Sequence, residues 1–298
     1  MRITTNTLSE SIVRQIQHLG SNQAKLQTQV ATGQRIFNPE DNPTAVGRVL
    51  GLETEQRQLG QFDRNAGRAL ELSQATFSAL QQVKKVSDRA TEVGTLGAGT
   101  IGTDASKAYA SEIDQMIEHT LQLANTRFRN DHLFAGTAVD QPPFVATRDA
   151  SGKLTSVAYA GNSSRSLIQL SETASIAPGS TGDMNVGLGD FVNQLVALRD
   201  ALDTGSTTAV SAVQTSLIAS EDKIVSALAG HGGVQLRIDA NRAQQQQRSD
   251  NLESLISGEV DADMPSTIVR LNQSQTAYQA ALQSAANIMR LSLLDYIQ

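Results

Sequence analysis

The chain has 298 residues, 39% of them hydrophobic, and carries a net charge of −6 with neither cysteine nor tryptophan. That length supports about two domains of ordinary size. The missing thiols exclude disulfides, thiolate metal sites and a cysteine nucleophile, and a thin negative charge without basic clusters argues against nucleic-acid binding or a polybasic membrane strip.

Aromatics make up 4% of the chain, so long helices with aliphatic, Ala, Gln and Ser faces are expected to carry the fold. No stretch approaches the ~18 apolar residues of a membrane span, and the first residues lack the continuous apolar run of a cleavable secretory signal. If exported, the protein is expected to use another route.

In chain order, Ile12, Ile16, Leu19, Gln23, Leu26 and Val30 follow a 4-3-4-3-4 spacing, the seam of a coiled coil. Pro39 and Pro43 interrupt it, and Asn38–Pro43 reads as a bend between zones. A long helix follows, with Phe62, Ala66, Ala69, Ser73, Phe77, Leu80, Val83 and Ala90 at helical spacing, ending in a loop at Gly94, Gly97, Gly99 and Gly102. Asp104 or Ser106 is then placed to cap a helix whose face carries Ile113, Ile117, Leu121, Ala124 and Phe128.

Near residue 132 the period changes to short alternating runs broken by Asp149, Gly152 and Gly161–Asn162, which predicts a small β insert over 132–185. Helical spacing resumes at Phe191, Leu195 and Leu198, and continues through Val210, Val213, Leu217, Ile224 and Leu228. A second glycine break is expected at Gly230–Gly233, with His231 in a loop, before Val234, Ile238, Leu252 and Leu255.

The last helix carries Ile268, Leu271, Gln275, Tyr278, Leu282, Ala285 and Met289 in threes and fours. A narrow apolar stripe cannot bury itself, so the two end helices are expected to pack on each other and on neighbouring molecules. At about 35 residues each would extend about 50 Å and project.

The expected fold is mainly α. A paired terminal coil comes from 1–42 with 264–298, a discontinuous bundle from 43–131 with 186–263, and an inserted β domain from 132–185. Candidate assembly positions are Ile12, Ile16, Leu19, Leu26, Val30, Leu271, Tyr278, Leu282 and Met289; the bend is shaped by Asn38, Pro39, Asp41 and Pro43.

Ala31–Ala45, reading ATGQRIFNPEDNPTA, resembles the turn after the first helix of the flagellin superfamily. Asn130–Thr137, reading NDHLFAGT, followed by Gln141-Pro142-Pro143-Phe144, is similar to the hook-associated branch of that superfamily, with Leu133, Phe134 and Gly136 at the boundary between bundle and β insert. The resemblance covers about three quarters of the chain and is weakest in the β insert. Asn42 departs from it where an acidic residue commonly follows Asp41, and Phe37 where flagellins carry Asn.

The resemblance implies a structural protein of the bacterial flagellum, exported with a chaperone through the type III apparatus and assembled as a ring between the first hook-associated protein and flagellin. A flagellin filament subunit is the alternative within the same class. Head-to-tail packing of weakly charged helices is compatible with either.

Other motifs point elsewhere but weakly. Gly97-Ala98-Gly99-Thr100-Ile101-Gly102 matches G-x-G-x-x-G, yet a helix rather than a strand precedes it. His18, His119, His132 and His231 lack zincin spacing. Asp261 and Asp263 lack the glycine and glutamate of a calcium loop and read instead as a cap before Pro265. No catalytic residue, cofactor or metal is assigned.

Overall fold

The computed structural model describes the backbone of residues 2–99 and 102–297, with side chains from 10 to 287 apart from 100–101. Helices dominate: α1 (Arg2–Thr32), α2 (Pro43–Gly97), α3 (Thr103–Ala124), α4 (Gly182–Asp203), α5 (Thr207–Val260) and α6 (Met264–Ile297). Between α3 and α4 lie three antiparallel strand pairs. They are β1 (Arg127–Phe128) with β2 (Asp131–His132), β3 (Phe144–Arg148) with β4 (Leu154–Tyr159), and β5 (Ile168–Gln169) with β6 (Ser175–Ile176). The expected mainly α architecture with small inserted strands is the one observed.

Two compact units emerge, one of 1–58 with 247–298 and one of 59–246. This division differs from the three zones read from proline positions. The start of α2 and the end of α5 group with the terminal helices, consistent with the Arg48–Glu259 and Arg248–Glu55 ion pairs. The strands share a unit with α3 and α4, because Phe144, Leu154 and Val157 lie in one apolar core with Ile113, Ile117, Leu188, Phe191 and Leu195.

Several helix ends depart from expectation for local reasons. α3 begins at Thr103, with Gly102 at the capping position and no side-chain cap. Ser106 instead donates to the Leu202 carbonyl at 2.6 Å, and Asp104 sits inside the first turn. α3 stops at Ala124, so Phe128 belongs to a strand. α4 starts at Gly182, nine residues before the periodic run at Phe191, because the Thr181 hydroxyl accepts from the Met184 amide at 3.3 Å.

The second glycine break does not form: α5 continues through Gly230–Gly233. Each interior glycine costs about 1 kcal/mol of helix propensity. Burial of Ile238, packing of Val234, and a buried His231 bonded to Ser73 on α2 at 3.3 Å oppose that cost. His231 is therefore a packed helical residue, and burial pushes its pKa down.

Candidate assembly interface

The terminal unit is built on α1 and α6. Ile12, Ile16, Leu19, Gln23, Leu26 and Val30 are all half-buried, as one face of α1 should be when a single partner covers it. A methyl group built on Gly20 would lie 3.6 Å from the Tyr278 ring, which places this turn of α1 against α6.

On α6 the covered positions are Met264, Thr267, Leu271, Ser274, Tyr278, Ala281 and Ala285, an unbroken 3-4-3-4-3-4 spacing. Half-buried Gln275 flanks it. Ile268 and Leu282 stand outside this seam, 42% and 43% exposed, as do Val13 and Val269 at 40% and 54%. The side chain of Met289 lies outside the described residues.

At the root of the pair, the chain leaves α1 through Gly33, whose φ of +72° is the left-handed helix end that glycine adopts without a Cβ penalty. Residues 33–35 then form a short antiparallel bridge with 260–262. The Arg35 amide donates to the Val260 carbonyl at 2.6 Å, and the Ala262 amide donates to the Gly33 carbonyl at 2.8 Å. Arg35 also donates to the Glu259 carbonyl, while Arg48 grips the Glu259 carboxylate through two 2.9 Å bonds.

The bend at 38–43 is organised by Asp41. Its carboxylate accepts from Lys25 at 2.7 Å and from the amides of Asn38 and Phe37 at 3.1 and 3.2 Å, and these bonds lower its pKa to about 2. Pro39 is exposed. Pro43 opens α2, and Asn42 caps it by accepting from the Ala45 amide at 3.1 Å. Asn before Pro is the signal that identifies this cap in sequence.

In the other unit, Leu133, Phe134 and Ala135 are buried, the first two in the core that also holds Phe144 and Leu154. Gly136 has φ of +70°, and a Cβ there would collide with the Asn162 carbonyl and side chain. The Tyr159 hydroxyl donates toward the carbonyls of Asn162 (2.8 Å) and Phe134 (3.1 Å) and accepts from Asn185. Buried His132 accepts from Arg127 at Nε2 and donates from Nδ1 to the Asn125 carbonyl, both at 3.0 Å, a neutral tautomer used for packing.

Three residues that sequence periodicity passes over fix the β3–β4 hairpin. Asn125 pairs both backbone groups of Phe144 at 3.0 Å, and Asn193 pairs both of Val157 at 2.8 and 2.9 Å. Arg199, 2% exposed, donates to the Leu154 carbonyl and to Asp114 at 2.8 Å and pairs with Asp200. For Asn193 and Arg199, polar residues among apolar neighbours on α4 were the available signal.

A family model for the bacterial flagellin N-terminal helical region matches residues 3–139. Flagellar hook-associated protein 3 of Escherichia coli is 26% identical to the chain over 99% of both sequences. Over residues 3–139 the chain is similar to the flagellin superfamily. Its likeness to hook-associated protein 3 runs the whole length.

The Salmonella typhimurium protein of the same name is 29% identical over 56% of this chain and 54% of its own. A putative flagellar hook-associated protein from Vibrio parahaemolyticus superposes with a TM-score of 0.67 at 17% identity, over 74% of this chain and 100% of the other. Bacillus cereus FlgL gives 0.60 at 17%, over 70% and 99%. These two structures extend the likeness of fold.

The remaining motifs resolve structurally. Gly97 ends α2 and Ala98–Gly99 form a turn, with Thr100 and Ile101 outside the described residues. The Asp263 carbonyl accepts from the Thr267 amide in the first turn of α6, and Asp261 accepts from the Ser257 hydroxyl. Among the described residues no cluster of three or more His, Asp or Glu could hold a metal, and no helix is long and apolar enough to cross a membrane.

Proposed function

We propose that this protein is a structural adapter of the bacterial flagellum, a ring of identical subunits joining the hook, through the first hook-associated protein, to the flagellin filament. The full-length match to hook-associated protein 3 carries this reading and supports it over a filament subunit. The terminal pair supplies the physical means. α1 and α6 cover one face of each other and leave Val13, Ile268, Val269 and Leu282 exposed, apolar positions open to neighbouring subunits.

On this reading Ile12, Ile16, Leu19, Leu26, Val30, Leu271 and Tyr278 hold the pair together, and Leu282 faces a neighbour. Met289 extends the same stripe in sequence. Export proceeds through the type III apparatus with a chaperone. Deleting the gene should leave hooks without filaments and flagellin shed into the medium, restored by the full chain but not by residues 36–263. Filaments persisting on the deletion strain would overturn the adapter role.

A further inference from the structure

Beyond the terminal pair, the unit of residues 59–246 holds a groove of about 710 Å³ walled by α2, the β1–β2 turn and the irregular segment before β5. Arginines arrive in it from three separate elements: Arg68 from α2, Arg129 from the turn and Arg165 from the segment. Against them the lining carries one carboxylate, Asp131. In a chain of net charge −6 this is a local inversion of sign.

The side chains of Arg68 and Arg165 are exposed and make no ion pair or hydrogen bond among the described residues. Arg129 is held over the Phe128 ring at 5.5 Å and bonded to Glu71 at 2.6 Å. Its backbone and that of Asn130 sit at φ +51° and +76°, the left-handed region that L side chains rarely adopt. The apolar part of the wall comes from Leu72, Phe128 and Val139, and Leu167 at the lip is 69% exposed.

We propose that this groove docks an extended acidic segment of a partner protein, its carboxylates on Arg68 and Arg165 and an aliphatic side chain on Leu167. Guanidinium groups bind carboxylates through paired hydrogen bonds, and their spread over three elements matches charges spaced along a strand better than one small anion. The exposed leucine favours a peptide over an anionic polysaccharide, which has no aliphatic side chain to cover it.

The test is isothermal titration of the full chain with a glutamate-rich decapeptide containing two leucines. Saturable binding should weaken with salt and fall at least tenfold in the Arg68→Gln, Arg165→Gln double variant. Arg237→Gln on α5, outside the groove, should bind as the parent does. The side chains of Arg68 and Arg165 make no bond in the fold among the described residues, so the double variant should melt with the parent. Undiminished binding by the double variant, equal binding of a glutamine version of the peptide, or no binding heat would overturn the proposal. Tighter binding of an oligogalacturonate that displaces the peptide would also overturn it, by reassigning the groove to a polysaccharide.

Discussion

Arg199→Ala tests how the β3–β4 hairpin is held to its helices. The side chain is 2% exposed, and truncation removes two buried methylenes, worth about 1.6 kcal/mol at ~0.8 kcal/mol each. The Leu154 carbonyl loses a charged donor at 2.8 Å, costing about 1–2 kcal/mol. Asp114 and Asp200 are 43% and 57% exposed, so their ion pairs add only about 0.5 kcal/mol each. Burial works against the charge, but both carboxylates outweigh it and leave the guanidinium pKa raised, so Arg199 stays charged at any working pH.

The sum is about 4 kcal/mol. For a unit spanning residues 59–246 that corresponds to a fall in Tm of about 10 °C, read by circular dichroism at 222 nm. Amide exchange at Leu154–Tyr159 should accelerate more than exchange in the middle of α5. Arg199→Met keeps the stem and should cost about half as much. A loss below about 1 kcal/mol for the alanine variant, or a methionine variant worse than alanine, would refute the reasoning.

Gly136→Ala should destabilise the same unit by more than about 2 kcal/mol, because positive φ and collision with Asn162 coincide; a Tm within 2 °C of the parent would contradict this. His231 is buried with a lowered pKa, so it costs nothing above its unfolded value of about 6.5 and a growing penalty as pH falls below it. His231→Gln should flatten the stability profile between about pH 7 and 5. Asp41 is held at a pKa of about 2, so the order of the 37–42 turn should persist at pH 5 and fade from about pH 4 toward 2, seen in exchange of the Phe37 and Asn38 amides. In dilute full-length protein, residues 10–35 and 264–287 should exchange far faster than α3 and α4; equal protection would mean that the terminal pair needs no neighbour.

Helix faces were legible because burial repeats with helical period: Ile113, Ile117, Phe191, Leu195, Leu217 and Ile224 fall where spacing puts them, each at most 1% exposed. The terminal seam was legible to within one position. Spacing puts Ile268 and Leu282 on it beside Leu271, Tyr278 and Ala285, whereas the geometry keeps the last three and replaces the first two with the neighbouring Thr267 and Ala281. Small residues admit close helix approach, and apolarity alone does not register that.

What spacing could not show is tertiary in origin. Glycine reads as a breaker, yet Gly230–Gly233 stays helical because neighbouring side chains are buried on both sides of it. Asn125, Asn193 and Arg199 read as solvent-facing polar residues until the hairpin strands arrive with backbone groups for them to bind.

The two units solve burial differently, and the difference bears on assembly. In residues 59–246 large side chains such as Phe134, Phe191, Leu188 and Leu198 are wholly buried, and amide and guanidinium groups close the polar gaps. On the described faces of α1 and α6, Thr267 and Ala285 are the residues that reach full burial, both small, while the aliphatic seam residues stop at half. Each half-covered Leu or Ile forgoes part of the about 1.5–3 kcal/mol that full burial provides, over a stripe that extends along both helices. A second covering surface would recover that difference without any new chemistry. The proposed assembly role thus follows from incomplete burial spread along a seam rather than from a single binding residue, and substitutions in it should act cumulatively, each weakening subunit addition by a modest factor.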